Sequence, residues 1–271
     1  MIIDFFQIVI LSIVEGITEF LPVSSTGHIL IFEKIFETMK SDLFLNNNFK
    51  VFFTFIIQLG AMLAVIQIFW KDIFPFTGSS EYRKEKLNLW LKMCISIIPA
   101  IFLIKIDNKI ENLFYHPLPI AITLIFYGII LILIEKRDKN KIFKINNIND
   151  ITFSLALGVG VFQCLAVIPG TSRSAATIIG AMLLGMNRDI ATKYSFFLAI
   201  PTITGACFIK FLKISISLSI IEISYIIIGS LVAYLTSIIV IRKFMSYIRN
   251  HDFMYFGYYR IILGIVIIIF L

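Results

Sequence analysis

Charge is scarce in this chain. Only 15% of its 271 residues are Asp, Glu, Lys or Arg, against 59% that are hydrophobic, and the mean hydropathy is +0.93. One soluble core cannot bury that much apolar surface, so a water-soluble globular fold is excluded and most of the chain is expected to face lipid. Cysteine is nearly absent too. Cys94, Cys164 and Cys207 lie far apart in apolar segments, a spacing that fits neither a disulfide framework nor a thiolate metal centre. No cleavable leader is expected: Asp4, Glu15 and Glu19 fall where a signal peptide needs an unbroken apolar core, and the N-terminus reads as mature protein. The net charge of +7 would point to nucleic acid in a soluble protein. Here the cations gather in short loops between apolar runs, where they orient a membrane chain, so nucleic acid is not expected as a partner.

Hydropathy marks six spans, at about 51–70, 91–106, 118–135, 193–211, 219–241 and 255–271. Two further apolar stretches, 1–36 and 151–187, are broken near their middles by LPVSSTGH and IPGTSRSA. Each break holds Pro, Gly and several hydroxyls, and reads as a helix, a turn at membrane depth and a second short helix. Irregular backbone is tolerated there only inside protein or beside a watery cavity, which makes both stretches candidate re-entrant hairpins. Loops 71–92, 136–144, 188–193 and 242–260 carry 16 of the 24 Lys and Arg and are expected on the cytoplasmic side, with 34–50, 105–116 and 210–213 outside. The hairpins then enter from opposite leaflets. Setting Pro22 on Pro169 aligns Ser25 with Ser172. The expected fold is therefore a single all-α polytopic membrane domain over 1–271, with six transmembrane helices and two re-entrant hairpins in an inverted-topology repeat of about 1–135 and 151–271.

Polar residues inside such a chain are the candidates for chemistry. Glu15 and Glu19 are four apart, which puts both carboxylates on one helix face about 6 Å apart. Membrane-embedded carboxylates point to a functional site, although helix-end residues that reach the interface are the ordinary alternative. In the second break Arg173 stands among Gly170, Thr171, Ser172 and Ser174 at a helix start, a combination of amides, hydroxyls and a guanidinium fork that suits a phosphate. Its bland counterpart is a serine cap with an arginine neutralising Glu15 or Glu19. Carboxylates repel a phosphate ester unless a divalent cation bridges them, so Glu15 and Glu19 imply Mg²⁺ or Ca²⁺. Ser25 is the candidate nucleophile, with Ser24 and Thr26 beside it on the headgroup, and His28 a proton shuttle. Direct attack by water, with His28 or a glutamate as base, stays open. Gln163 offers either a further hydrogen bond to substrate or a helix–helix contact. Arg260 could reach the cavity, although snorkelling to the headgroups is an adequate explanation; Tyr258 and Tyr259 are read as interfacial anchors and His116 as a loop residue.

EGITEFLPVSSTGH and IPGTSRSAATI resemble the two signature motifs of the undecaprenyl-diphosphatase family, also called the bacitracin-resistance protein family. The likeness continues through QLGAMLAV at 58–65, KYSFFLAIP at 193–201 and YYRIILG near the C-terminus. The resemblance implies an enzyme of the bacterial cytoplasmic (inner) membrane that removes the terminal phosphate of undecaprenyl diphosphate, regenerating the lipid carrier for cell-wall synthesis, with the catalytic pocket towards the outer face. It places the family's acidic pair on Glu15 and Glu19, its serine on Ser25, its histidine on His28 and its phosphate-binding arginine on Arg173. Ala175 stands where many members have Gly. The partners implied are the polyprenyl diphosphate and membrane lipids, with a homodimer left open. Broken helices in an inverted repeat are also transporter architecture, so a carrier or flippase of an anion or polyprenyl phosphate is the competing expectation.

Overall fold

Lipid offers a backbone no hydrogen-bond partner, so long apolar runs satisfy themselves as helices. The computed structural model describes residues 2–38, 47–76, 78–138, 143–213 and 218–271; Lys40, Lys139 and Lys141, used in counting loop charge, lie outside them. The helices are α1 (Ile2–Thr18), α2 (Ser25–Thr38), α3 (Asn47–Ile68), α4 (Trp70–Ile73), α5 (Ser80–Ile101), α6 (Ile104–Phe114), α7 (Pro117–Asp138), α8 (Phe153–Gln163), α9 (Arg173–Leu183), α10 (Arg188–Lys213), α11 (Ile220–Ile248) and α12 (Met254–Phe270). Among the described residues there is no strand, only one parallel bridge between Ile145 and Met186.

Five segments are long and apolar enough to cross a membrane: Phe49–Ile68, Ser80–Ile106, Pro117–Asp138, Arg188–Leu212 and Ile220–Ile248. This is the make-up of a multi-pass membrane protein. The sixth expected span forms α12, which is apolar but only 17 residues long, about 25 Å at 1.5 Å per residue. α5 starts at Ser80 rather than near 91. Ser79 caps it by accepting the Tyr82 amide, and EYRKEK is rich in good helix formers, so the helix continues past the end of the apolar run.

Both broken stretches form helix–turn–helix pairs, α1–α2 and α8–α9, and they sit in matching surroundings. α1 packs on α11 as α8 packs on α5, while α3 meets α10 and α7 meets α12. A serine ties each first helix to its neighbour: Ser237 Oγ donates to Gly16 O at 3.1 Å, and Ser96 Oγ to Ala156 O at 2.7 Å. α7 and α12 cross so closely that a Cβ on Gly128 would lie 2.7 Å from Gly257 O, and one on Gly257 2.8 Å from Gly128 O. Only glycine allows that approach. At the far end of α7, Arg188 forks onto the buried Glu135 with Nε 2.9 Å from each oxygen, and the Phe253 amide donates to the same carboxylate at 3.1 Å. Phenylalanines are prominent among the largest fully buried side chains. Phe20, in the first turn, meets Phe196 of α10 edge-on at 5.4 Å, which seats that turn on the body of the bundle.

Candidate active site

Each turn delivers a serine with left-handed backbone just before a helix: Ser24 at φ 73° before α2, and Ser172 at φ 71° before α9. Such a conformation costs a non-glycine residue about 1–3 kcal/mol. The caps offset part of it, since Ser24 Oγ accepts the Gly27 amide at 3.4 Å and Ser172 Oγ the Ala175 amide at 3.3 Å. The two turns therefore match with Ser24 on Ser172, which sets Ser25 on Arg173, Pro22 on Gly170 and Glu15 on Gln163. Aligning Pro22 with Pro169 is off by one residue. Proline marks where backbone leaves a helix, whereas the cap serine marks where the next one starts, and only the second geometry is shared. Ala175 takes the ordinary backbone of the first helical turn and is fully buried, so its methyl is accommodated.

The tips of the two pairs touch. Ser174 Oγ donates to Leu21 O at 2.9 Å. Arg173 Nη2 donates to Glu19 Oε1 at 3.0 Å, with the two side chains only 12% and 9% exposed. Glu19 Oε2 in turn accepts Ser25 Oγ at 3.3 Å, while Arg173 Nη1 donates to Ser195 O at 2.9 Å within KYSFFLAIP. Glu19 is thus shared by a cation from one tip and a hydroxyl from the other. A cavity of about 430 Å³ adjoins Ser25 and Thr26, and its wall includes Thr54, Gln58, Lys50, Asn112, Tyr115, His116 and Lys210.

Glu15 is fully buried, neither of its oxygens has a hydrogen-bond partner, and its polar neighbours are Glu19 and Gln58. An orphaned carboxylate beside a second one is costly unless something positive is shared between them. No group of three or more His, Cys, Asp or Glu forms among the described residues. Two carboxylates suffice for Mg²⁺ or Ca²⁺, which take oxygen ligands and fill remaining positions with water or substrate phosphate. The donor set fits such a cation.

Several expected site residues are placed otherwise. His28 is not brought against Ser25. One ring nitrogen, Nδ1, lies 2.7 Å from Ser24 O and the other, Nε2, 2.6 Å from the Tyr259 hydroxyl, and the imidazole stacks on the Tyr259 ring. It lines a separate apolar cavity with Val14, Ile17, Leu21 and Tyr255. The Ser24 carbonyl and the Tyr259 hydroxyl hold the ring away from Ser25. Gln163 Oε1 accepts Thr202 Oγ1 at 3.3 Å, a helix–helix contact with α10. Gly170, at φ 88°, faces α7: a Cβ there would sit 2.1 Å from Thr123 Oγ1, so no other residue fits. Ser172 and Ser174 exchange a hydrogen bond at 3.0 Å, and Thr171 is fully buried.

Arg260 turns inward. Instead of snorkelling it is fully buried, and its fork donates to Pro22 O at 3.2 Å, Gly170 O at 2.9 Å and Thr171 O at 3.0 Å, with Nε reaching Leu124 O at 3.4 Å. The signal was available: one cation within the apolar run MYFGYYRIILGIVIIIF is as anomalous as Glu15 in α1.

Over residues 8–266 the chain matches the family described as Bacitracin resistance protein BacA. It is 46% identical over 267 residues to the undecaprenyl-diphosphatase of Lachnoclostridium phytofermentans, covering 98% of this chain and 96% of that protein. Undecaprenyl-diphosphatase 1 of Clostridioides difficile is 46% identical over 270 residues, with the same coverage. The undecaprenyl-diphosphatase of Enterococcus faecalis is 43% identical over 272 residues, 98% of this chain and 97% of its own. With its two hairpin turns joined through Glu19 and Arg173 and with relatives aligned end to end, the chain belongs to the bacitracin resistance protein family.

Proposed function

We propose that this chain hydrolyses undecaprenyl diphosphate to undecaprenyl phosphate and inorganic phosphate, recycling the carrier used in peptidoglycan synthesis. The names of its relatives supply the substrate. The observation that carries the chemistry is the contact of one carboxylate, Glu19, with a hydroxyl at 3.3 Å and a guanidinium at 3.0 Å. Ser25 Oγ attacks the terminal phosphorus and passes its proton to Glu19 Oε2, while the bond to the bridging oxygen breaks and undecaprenyl phosphate departs with the electron pair. Arg173 stabilises charge on the transferring oxygens. Glu19 gives that proton to the departing phosphate oxygen and then takes one from water, which attacks the phosphoserine; the serine oxygen leaves with the proton from Glu19, freeing phosphate and restoring Ser25. His28, with both nitrogens engaged, holds the turn that presents Ser25. Glu15 and Glu19 would hold Mg²⁺ or Ca²⁺, which when bound neutralises charge between carboxylates and diphosphate.

In this reading α12 is the sixth crossing, α1–α2 and α8–α9 are re-entrant hairpins of an inverted repeat, and the enzyme lies in the cytoplasmic membrane. Support for a pocket open to the outer side comes from its wall: Lys50, Asn112, Tyr115, His116 and Lys210 all belong to the segments with few cations. The lipid tail would remain among the helices in the bilayer.

The test is release of inorganic phosphate from undecaprenyl diphosphate by purified protein in detergent with Mg²⁺ or Ca²⁺. Detergent leaves no second compartment, so a carrier gives no signal and absence of phosphate overturns the reading. Ser25→Ala separates the two routes: a loss of about 10³-fold or more in kcat supports the serine nucleophile, and full turnover assigns attack to water.

A further inference from the structure

We infer that Arg260 is the positioning residue that sets the spacing of the two hairpin turns, and through it the contact of Glu19 with Ser25 and Arg173; the inference rests on the hydrolysis proposed above. Pro22 and Gly170 are matching positions, each two residues before a left-handed cap serine. Arg260 donates to the carbonyl of both, at 3.2 and 2.9 Å, and takes Thr171 O at 3.0 Å and Leu124 O at 3.4 Å as well. One side chain from α12 therefore grips the same atom in each repeat and refers both to α7.

The physical need is plain. Each turn leaves the helical pattern in apolar surroundings, so its carbonyls lack intrahelical donors and cannot reach water. A guanidinium presents five N–H groups in a rigid plane and can serve several carbonyls at fixed mutual angles, which an ammonium cannot. Its charge is met by carbonyl oxygens and by the Tyr127 ring, whose centroid lies 5.9 Å from Cζ, rather than by a carboxylate. Apolar residues would fill that volume at less cost in desolvation. A cation kept there is explained by what it aligns. Pro22 lies three positions before Ser25 and Gly170 three before Arg173, so a shift of the turns passes directly to those side chains. A misplacement of about 1 Å in a catalytic constellation costs about 100-fold in rate.

The experiment uses the full chain in detergent, comparing Arg260→Lys and Arg260→Ala with wild type. Arg260→Lys is expected to lower kcat about 100-fold with KM within about threefold. Combining it with Arg173→Lys should give little further loss, because both act on one contact, whereas two independent defects would multiply. Added guanidinium should restore kcat of Arg260→Ala at least about tenfold by refilling the fork's place. If Arg260→Ala does not fold, Arg260→Lys alone decides. Hydrogen exchange gives a readout independent of turnover: amides of 19–27 and 168–176 should exchange faster in Arg260→Lys while α3 and α10 keep their protection. Wild-type kcat in Arg260→Lys, multiplicative losses, or uniform loss of protection overturns the inference. Failure of the wild type to release phosphate overturns the proposed function instead, and the exchange pattern still tests the clamp.

Discussion

Replacing Glu19 by Gln puts the central contact under direct strain. The carboxylate holds Arg173 at 3.0 Å through one oxygen and accepts the Ser25 hydroxyl at 3.3 Å through the other. A Gln amide keeps the shape. Its oxygen can still accept from Arg173, but its NH₂ then faces Ser25 and can only donate, so the serine proton loses its acceptor. Loss of a general base costs about 10²–10⁴-fold in kcat, or about 3–5 kcal/mol on the barrier at 1.36 kcal/mol per decade. Stability changes for a different reason: Arg173 keeps its charge at 12% side-chain exposure without the carboxylate that paired with it, and breaking a buried pair in this way costs about 3–5 kcal/mol. Initial rates of phosphate release and thermal unfolding, measured in one detergent, read both effects. Glu19→Asp gives the control, because it keeps the charge but is too short to span both partners. Should Glu19→Gln retain more than about a tenth of wild-type kcat, Glu19 is not the group that takes the serine proton, and the chemistry proposed for this contact fails.

Arg173→Lys retains charge but not the fork that bridges Glu19 and Ser195 O; kcat is expected to fall by about 10²–10³-fold, and a loss under tenfold argues against transition-state stabilisation by the guanidinium. Glu15→Gln puts a neutral amide in place of a buried carboxyl beside Glu19, so in chelator its thermal midpoint should rise, by an amount equivalent to about 1–3 kcal/mol. The same variant should lose the added stability that Mg²⁺ or Ca²⁺ gives the wild type; an undiminished cation response would show that Glu15 holds no metal. His28→Asn can still donate to Ser24 O, whereas His28→Ala cannot. Activity should therefore run wild type, Asn, Ala in descending order, and equal loss in both variants would point back to proton transfer by the imidazole.

Much of this protein could be read from its letters because a bilayer permits so few solutions. A chain with 59% hydrophobic residues must cross lipid, and the backbone must then coil into helices. Proline, glycine and serine clusters announced where two of those helices break, and Glu15 and Glu19 shared a face because four residues make about one turn. Residues chosen by that logic do meet: Glu19 and Arg173 pair across 154 positions. Other decisions lay beyond local pattern. Which of two carboxylates took the arginine, why His28 turned to Tyr259, and the one-residue shift between the two turns all depend on neighbours supplied by α7, α10 and α12. Arg260 shows the limit most sharply, since its partners are carbonyls, which every residue carries and no sequence motif marks. Composition and periodicity thus determined that there would be helices, two breaks and a charged pair at depth. Only tertiary packing decided which atoms face each other there, because contacts between remote segments follow from how all the helices fill one volume, and no spacing along a single helix encodes that.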